Sequence, residues 1–500
     1  MASAGDISER PWVHVLAVLA LAAVATSLPN EAYAIIDTRT GLAIGAIGAW
    51  RYGWGLLHFI RSLIYRFRVY PAMKRRAAEA GEAGSVPSYL LVTSFRIPTE
   101  TTIEVYRAAF LAALNAPGPS VVVASIVDMV DQRLIKQLYH RMVKPEDRVD
   151  LLIVRIAGTG KRDALAFGFR AIARLSPPDD AMVAVIDGDS IVPPDLVARC
   201  APFFHDQKVG ALTTDEMARV NGSRLFVHWY DLRFAQRHIL MSSMGLSRRV
   251  LTLTGRMSMF RASIICDPRF VAQVELDYID HHRLGRFKFL TGDDKSSWFY
   301  LLRNGYYMLY LPDVMVETVE DPPSDSFIDS ASQLMVRWYG NMLRTNGRAL
   351  ALGPRRIGLF TWWAILDQRM SMWTCLIGVT IALLATLFIS PFAIVVYAIW
   401  ILSSRYVLTL LLLSARRRVS IFFPILLYFN QIYGSLMKVY VFFRLDKQKW
   451  TRQKTTLAKG KITRLARFRL MESKLYHAVS VLLLVVVCSL LMGITSFSVL

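Results

Sequence analysis

The sequence predicts an α/β domain with a Rossmann-type parallel sheet, embedded in a multi-span α-helical membrane protein. Three observations carry that reading. Apolar runs cluster at the two ends of the 500-residue chain, and each is close to the roughly 20 residues a helix needs to cross the hydrocarbon core. Between them, short apolar strands alternate with helical stretches. Finally, 54% hydrophobic residues coexist with 59 Lys+Arg against 38 Asp+Glu, a net charge of +21, although only 19% of residues are charged. A soluble chain averages roughly 45–50% apolar and about a quarter charged. The balance excludes a disordered chain and argues against a purely soluble enzyme. A nucleic-acid binder of this basicity would not carry several long apolar runs, whereas a membrane protein with basic loops on one side accounts for both features.

The first apolar run covers residues 13–28 and the second residues 42–65, with Arg51, His58 and Arg61 inside it. The connector 29–41 holds one Arg and two acids, while 66–76 holds Arg66, Arg68, Lys74, Arg75 and Arg76. Basic connectors stay inside, so the second connector and the middle domain that follows it are expected in the cytoplasm. Ala32-Tyr33-Ala34 has the form of a signal-peptide cleavage site, but the residues before the first run (Asp6, Glu9, Arg10) lack the positive charge such a signal carries. Either outcome leaves the middle domain inside.

The apolar pattern resumes at 372–389, 392–413, 421–443 and 479–499. Arg416, Arg417 and Arg418 precede the third of these, and residues 444–477 follow it with 11 Lys/Arg against two acids. Two basic flanks both favour the cytoplasm, and Asn430, Gln431 and Lys438 lie within the run. Residues 421–443 therefore read as an interfacial or re-entrant helix, with an ordinary span as the alternative. The four cysteines (Cys200, Cys266, Cys375, Cys488) lie far apart with no C-x-x-C spacing, which supports free thiols rather than a zinc site or disulfide scaffold.

In the middle, residues 89–93, 120–126, 151–156 and 182–186 read as buried parallel strands, with helices such as 102–114 and 164–175 between them. Ligands of such a domain sit at the carboxyl ends of its strands. There stands Asp187-Gly188-Asp189, two carboxylates able to hold a divalent cation that neutralises a diphosphate. Gly158-Thr159-Gly160-Lys161-Arg162 offers small residues for close backbone approach and two cations for phosphate oxygens, without Walker A spacing. Gly292-Asp293-Asp294 places adjacent carboxylates in a turn before a helix, where capping is the alternative role. Arg337-Trp338 falls on a helical stretch just before the membrane returns, where a Trp can also be an interfacial anchor.

In this order (strand, basic turn, D-x-D, G-D-D, R-W, membrane helices) the motifs resemble the processive family-2 glycosyltransferases, among them the cellulose, hyaluronan and chitin synthases. Residue detail at 47–52, 158–170, 234–261, 289–298, 335–341 and 440–453 is similar to the alginate synthases, the polymerases of polymannuronate. The resemblance implies a GT-A-like domain over 71–332. It would lie between N-terminal membrane helices (1–70), interfacial helices (333–370) and a C-terminal membrane region (371–500) with a cytoplasmic gating segment at 444–477. One departure is visible: the wider family has Q-x-x-R-W, and Leu334 occupies the Gln position, with Gln333 one residue out of register.

What the resemblance implies for chemistry is an inverting transfer from GDP-mannuronate to a growing polysaccharide, with passage of the chain across the bacterial inner membrane. Asp294 matches the base, with Asp293 as the next candidate. Asp189 and Asp187 match the site of a divalent cation, Mg²⁺ or Mn²⁺. Lys161 and Arg162 resemble residues bracing the nucleotide; Thr93, Arg96 and Asp128 resemble its base and ribose pocket. Trp338, beside Arg337, resembles the ring under the acceptor sugar. Trp450, Thr451 and Arg452 resemble a gating loop, and Arg256 is a candidate partner for the donor's carboxylate. A membrane co-polymerase with a cyclic-di-GMP-binding domain is the implied partner. The competing expectations are a synthase using a UDP-sugar and a non-catalytic export scaffold.

Overall fold

The computed structural model describes residues 6–34, 39–80, 86–448 and 464–495. Its centre is an eight-stranded sheet. The strands are β1 (Ser88–Thr93), β2 (Ser120–Ile126), β3 (Val149–Arg155), β4 (Met182–Asp187), β5 (Ser190–Ile191), β6 (Val209–Val220) and β7 (Met257–Arg261). After them β8 (Tyr278–His281) and β9 (Gly285–Lys288) form a separate hairpin, and β10 (Tyr307–Glu320) returns to the sheet, whose order is β3-β2-β1-β4-β7-β6-β10-β5.

The four strands expected from sequence form the parallel half, β3-β2-β1-β4. All six residues of β1 are buried, and the apolar run of β4 ends where Asp187 emerges. The sheet is not parallel throughout. Strand β7 lies antiparallel between β4 and β6, and β10 runs parallel to β6. These added strands bring the C-terminal end of β6 and the loop before β7 to the same edge as Asp187.

Three helices are long and apolar enough to cross a membrane among the described residues: Leu359–Phe388, Ala393–Ser414 and Arg467–Met492. Pro11–Ser27 is a shorter apolar helix. The Arg39–Ile64 helix packs on the Arg224–Gly245 helix and also on Leu359–Phe388 and Arg464–Met492. Its polar residues explain this: His58 Nδ1 is 2.8 Å from Ser243 Oγ, and Arg61 donates to Ser243 O and Ser247 Oγ. The Tyr65 ring fills the space a side chain at Gly245 would need. Arg51 pairs with Asp367 of the Leu359–Phe388 helix at 2.5 Å.

The polar residues of the Phe423–Phe442 helix also have protein partners. Asn430 accepts from Trp229 Nε1 at 2.7 Å, Gln431 accepts from Arg405, and Lys438 lies 5.0 Å over the Tyr339 ring. This helix packs on Phe327–Ala351, Leu359–Phe388 and Ala393–Leu411, so it joins the α/β domain to the apolar helices.

Candidate active site

A cavity of about 790 Å³ opens at the carboxyl ends of the parallel strands, lined by Thr93 of β1, Val127 after β2, Gly158 after β3 and Asp187 of β4. Its other walls come from the turn before Asp293–Arg303 and from the Phe327–Ala351 helix. The sheet thus gathers most of the sequence-predicted residues at one place.

The D-x-D turn is tight for a steric reason. A Cβ at Gly188 would stand 2.7 Å from Thr93 O, so only glycine lets β4 close against β1. Lys161, at the start of the Lys161–Arg174 helix, places Nζ 2.5 Å from Asp187 Oδ1 and 3.3 Å from Asp293 Oδ2. Burial lifts the Asp187 carboxyl to about 6 against the pull of Lys161, helped by the charges of Asp189 and Asp293. Burial alone would lower Lys161, but Asp187 and Asp293 outweigh it and hold the ammonium protonated. Asp293 is likewise held low, because Lys161 and Arg162 overcome its burial. Among the described residues no group of three or more His, Cys, Asp or Glu is arranged to hold a metal ion by itself.

The G-D-D turn is set by Gly292 at φ +84°, where a Cβ would also meet Asn341 Cγ at 2.8 Å. Gly292 is the N-cap, and no side-chain hydrogen bond caps this helix, so neither Asp is engaged as the capping residue. Asp294 faces Thr252, whose Oγ1 is 3.4 Å away. Burial and the adjacent Asp293 charge raise its pKa against Lys295 and Lys161. A carboxylate so raised is a stronger base than an ordinary Asp.

Arg162 differs from the expectation that it braces the nucleotide. Only 4% exposed, it donates to Val274 O (2.6 Å), Thr291 O (3.0 Å) and Ser296 Oγ (3.1 Å), so its donors face the protein. Being the second residue of its helix, it points behind the cavity while Lys161 points in. Its geometry fixes the G-D-D turn. Thr93 is buried with Oγ1 unbonded, and Arg96 is exposed on the rim at φ +51°. Asp128 is exposed at the N-cap of the Met129–Met142 helix, one residue beyond the cavity wall. Trp450, Thr451 and Arg452 lie outside the described residues.

Arg256 lines the cavity, but Glu216 (3.0 Å) and Glu320 (2.6 Å) already answer its charge. Trp338 stacks on Trp229 with centroids 5.7 Å apart, and the Arg233 guanidinium lies 4.0 Å over the Trp338 ring. Leu334 is buried in the wall and Gln333 is exposed beside it, while Arg337 also lines the cavity. Sequence reasoning did not single out Arg233, Glu216, Glu320 or Thr252, because helix and strand positions far apart in the chain form this wall. Asn341 ties the walls together: its Oδ1 accepts from Thr291 Oγ1 at 2.7 Å and from Arg344 at 2.6 Å.

A curled mixed sheet with D-x-D at a strand end and G-D-D across the cavity defines a GT-A-like glycosyltransferase. Residues 87–341 match the family described as "Glycosyltransferase like family 2", and the chain belongs to it. Its relatives include two proteins named Glycosyltransferase alg8. That of Pseudomonas syringae pv. tomato is 49% identical over 458 residues, covering 91% of this chain and 92% of the relative. That of Azotobacter vinelandii is 48% identical over 448 residues, covering 89% and 90%. Among solved structures, a mannosyltransferase from Pyrobaculum calidifontis in complex with GDP-Man and Mn²⁺ shares the fold, with a TM-score of 0.52 and 15% identity over 82% of this chain and 100% of that one.

Proposed function

We propose that this glycosyltransferase polymerises GDP-mannuronate into β-1,4-polymannuronate and passes the chain across the bacterial inner membrane, with its catalytic domain in the cytoplasm. The observation that carries the reading is that Asp294, the Lys161–Asp187 pair and Trp338 line one cavity. An inverting transfer needs a base on the acceptor side and charge control on the leaving-group side.

Asp294 takes the acceptor hydroxyl proton as the oxygen attacks the anomeric carbon. Lys161 holds the diphosphate oxygens, Thr93 and Arg96 border the nucleoside, and Trp338 supports the acceptor ring. Asp187 and Asp189, two carboxylates joined by no third His, Cys, Asp or Glu in such a group among the described residues, would hold a divalent cation, which would supply the charge that neutralises the leaving diphosphate. Arg233, over the Trp338 ring, answers a carboxylate of the acceptor, and it is freer to do so than Arg256 is to answer the donor's. No carboxylate lies within ion-pair distance of Arg233 among the described residues, whereas Arg256 has two.

The names of the relatives support alginate synthesis, and the three apolar helices adjoining the domain support transfer coupled to export. A membrane co-polymerase bearing a cyclic-di-GMP-binding domain completes the proposal. Incubating membranes containing the protein with GDP-mannuronate and UDP-sugars in parallel tests it. Polymannuronate from the first alone is expected; polymer made from a UDP-sugar overturns the donor assignment.

A further inference from the structure

A second cavity, of about 570 Å³, lies away from the catalytic one. Its walls include His281 and Arg283 of the β8–β9 hairpin, Arg369 of the Leu359–Phe388 helix, Phe442, and Glu472 and Tyr476 of the Arg464–Met492 helix.

Its depth can be read from the sequence. The residues after Arg369 are uncharged as far as Phe388, and those after Lys474 are free of Asp, Glu, Lys and Arg as far as Met492. Leu376 packs in one cluster with Leu484, and Ile381 in another with Cys488, so the two helices run side by side in the same direction. Arg369 therefore stands level with Tyr476, at the edge of both apolar bands. That is the depth of lipid headgroups.

The charges are arranged for an anion. Arg283 is fixed in the wall by donating to Phe443 O (2.7 Å) and to Ser473 Oγ (2.5 Å). The Arg369 side chain has neither an ion pair nor a hydrogen bond among the described residues; its guanidinium rests 5.3 Å over the Phe442 ring. An arginine held at a membrane boundary without a counter-ion leaves donors for an anionic ligand. His281 is depressed by burial and by His282, Arg283 and Arg369 around it, a sign of positive potential, with Asp446 opposing. Glu472 is the one acid in the wall among the described residues.

We propose that this cavity binds a phosphate group, of the kind an anionic phospholipid presents at that depth, with Arg369 and Arg283 as its donors. Basic pockets between membrane helices select such headgroups because the phosphate accepts several hydrogen bonds from planar guanidinium groups.

The test uses the full-length protein in phosphatidylcholine nanodiscs. Phosphatidylglycerol is titrated in one arm and inorganic phosphate in the other, and the thermal transition is followed, because a ligand that binds the folded state raises it. Phosphatidylglycerol is expected to raise the transition of the wild type, to do so far less for Arg369→Gln, and to bind Glu472→Gln about fivefold tighter. Arg369→Lys, which keeps the charge, controls for misfolding by retaining part of the shift. Stabilisation by phosphatidylglycerol alone assigns a lipid, and stabilisation by inorganic phosphate as well assigns a phosphate from either source. A shift absent in both arms, or the same in Arg369→Gln and Glu472→Gln as in the wild type, overturns the proposal.

Discussion

Lys161 Nζ sits 2.5 Å from Asp187 Oδ1 and 3.3 Å from Asp293 Oδ2, so one ammonium joins the D-x-D strand end to the G-D-D helix. Replacing it by Lys161→Gln leaves two carboxylates facing each other and removes a charged donor from the diphosphate. Charge-assisted hydrogen bonds contribute roughly 1.5–3 kcal/mol, so GDP affinity should fall about 10–100-fold. Calorimetric GDP binding checks this, and unchanged affinity would reduce Lys161 to a clamp between the two motifs.

The pH profile of synthesis should carry an acid limb above that of a free aspartate. Burial and the Asp293 charge raise the Asp294 carboxyl, so the ionised base forms only as pH rises past the usual aspartate range. Burial raises Asp187 in the same direction when no cation is bound. Initial rates between pH 5 and 8 measure it; an acid limb near 4 contradicts it.

Arg162→Ala should lower stability. It strands two buried carbonyls, those of Val274 and Thr291, each of which costs about 1–3 kcal/mol when left unpaired. A loss of about 2–5 kcal/mol in urea unfolding of the solubilised protein is expected, together with weaker activity as the G-D-D turn loosens. A variant of unchanged stability but poor GDP binding would restore Arg162 to the nucleotide.

These two neighbours show how far the sequence could be read. The parallel half of the sheet was legible because its strands are continuous apolar runs, each ended by polar residues. Antiparallel β7 was not, being five residues with Ser258 and Arg261 among its apolar ones, nor were the long β6 and β10, whose patterns are interrupted by Thr, Asp and Glu with partners remote in the chain, as Asp215 has in His238 and Arg416. Lys161 and Arg162 look alike in sequence, yet adjacent positions on a helix point about 100° apart, and only tertiary structure decides which one enters the cavity. The Arg39–Ile64 run was legible as a helix, while its docking on Arg224–Gly245 depends on partners remote in the chain.

Arg233→Gln should weaken use of an acidic acceptor. With a carboxylate partner lost at a partly buried site, the apparent KM for mannuronate oligosaccharides should rise about 10–100-fold, with kcat at saturation changed less. Arg256→Gln should instead destabilise the protein, because it leaves Glu216 and Glu320 together in the wall. If Arg233→Gln leaves KM unchanged, the guanidinium serves only to pack against Trp338.

The most direct test of the whole account is Asp294→Asn, assayed for polymer formation and GDP binding on one preparation. The change keeps size and hydrogen-bonding capacity but removes the proton acceptor. Elongation should fall about 10²–10⁴-fold, while GDP binds as in the wild type because the Lys161–Asp187 pair is left in place. Near-normal synthesis by this variant would remove Asp294 from the mechanism and transfer the role of base to Asp293.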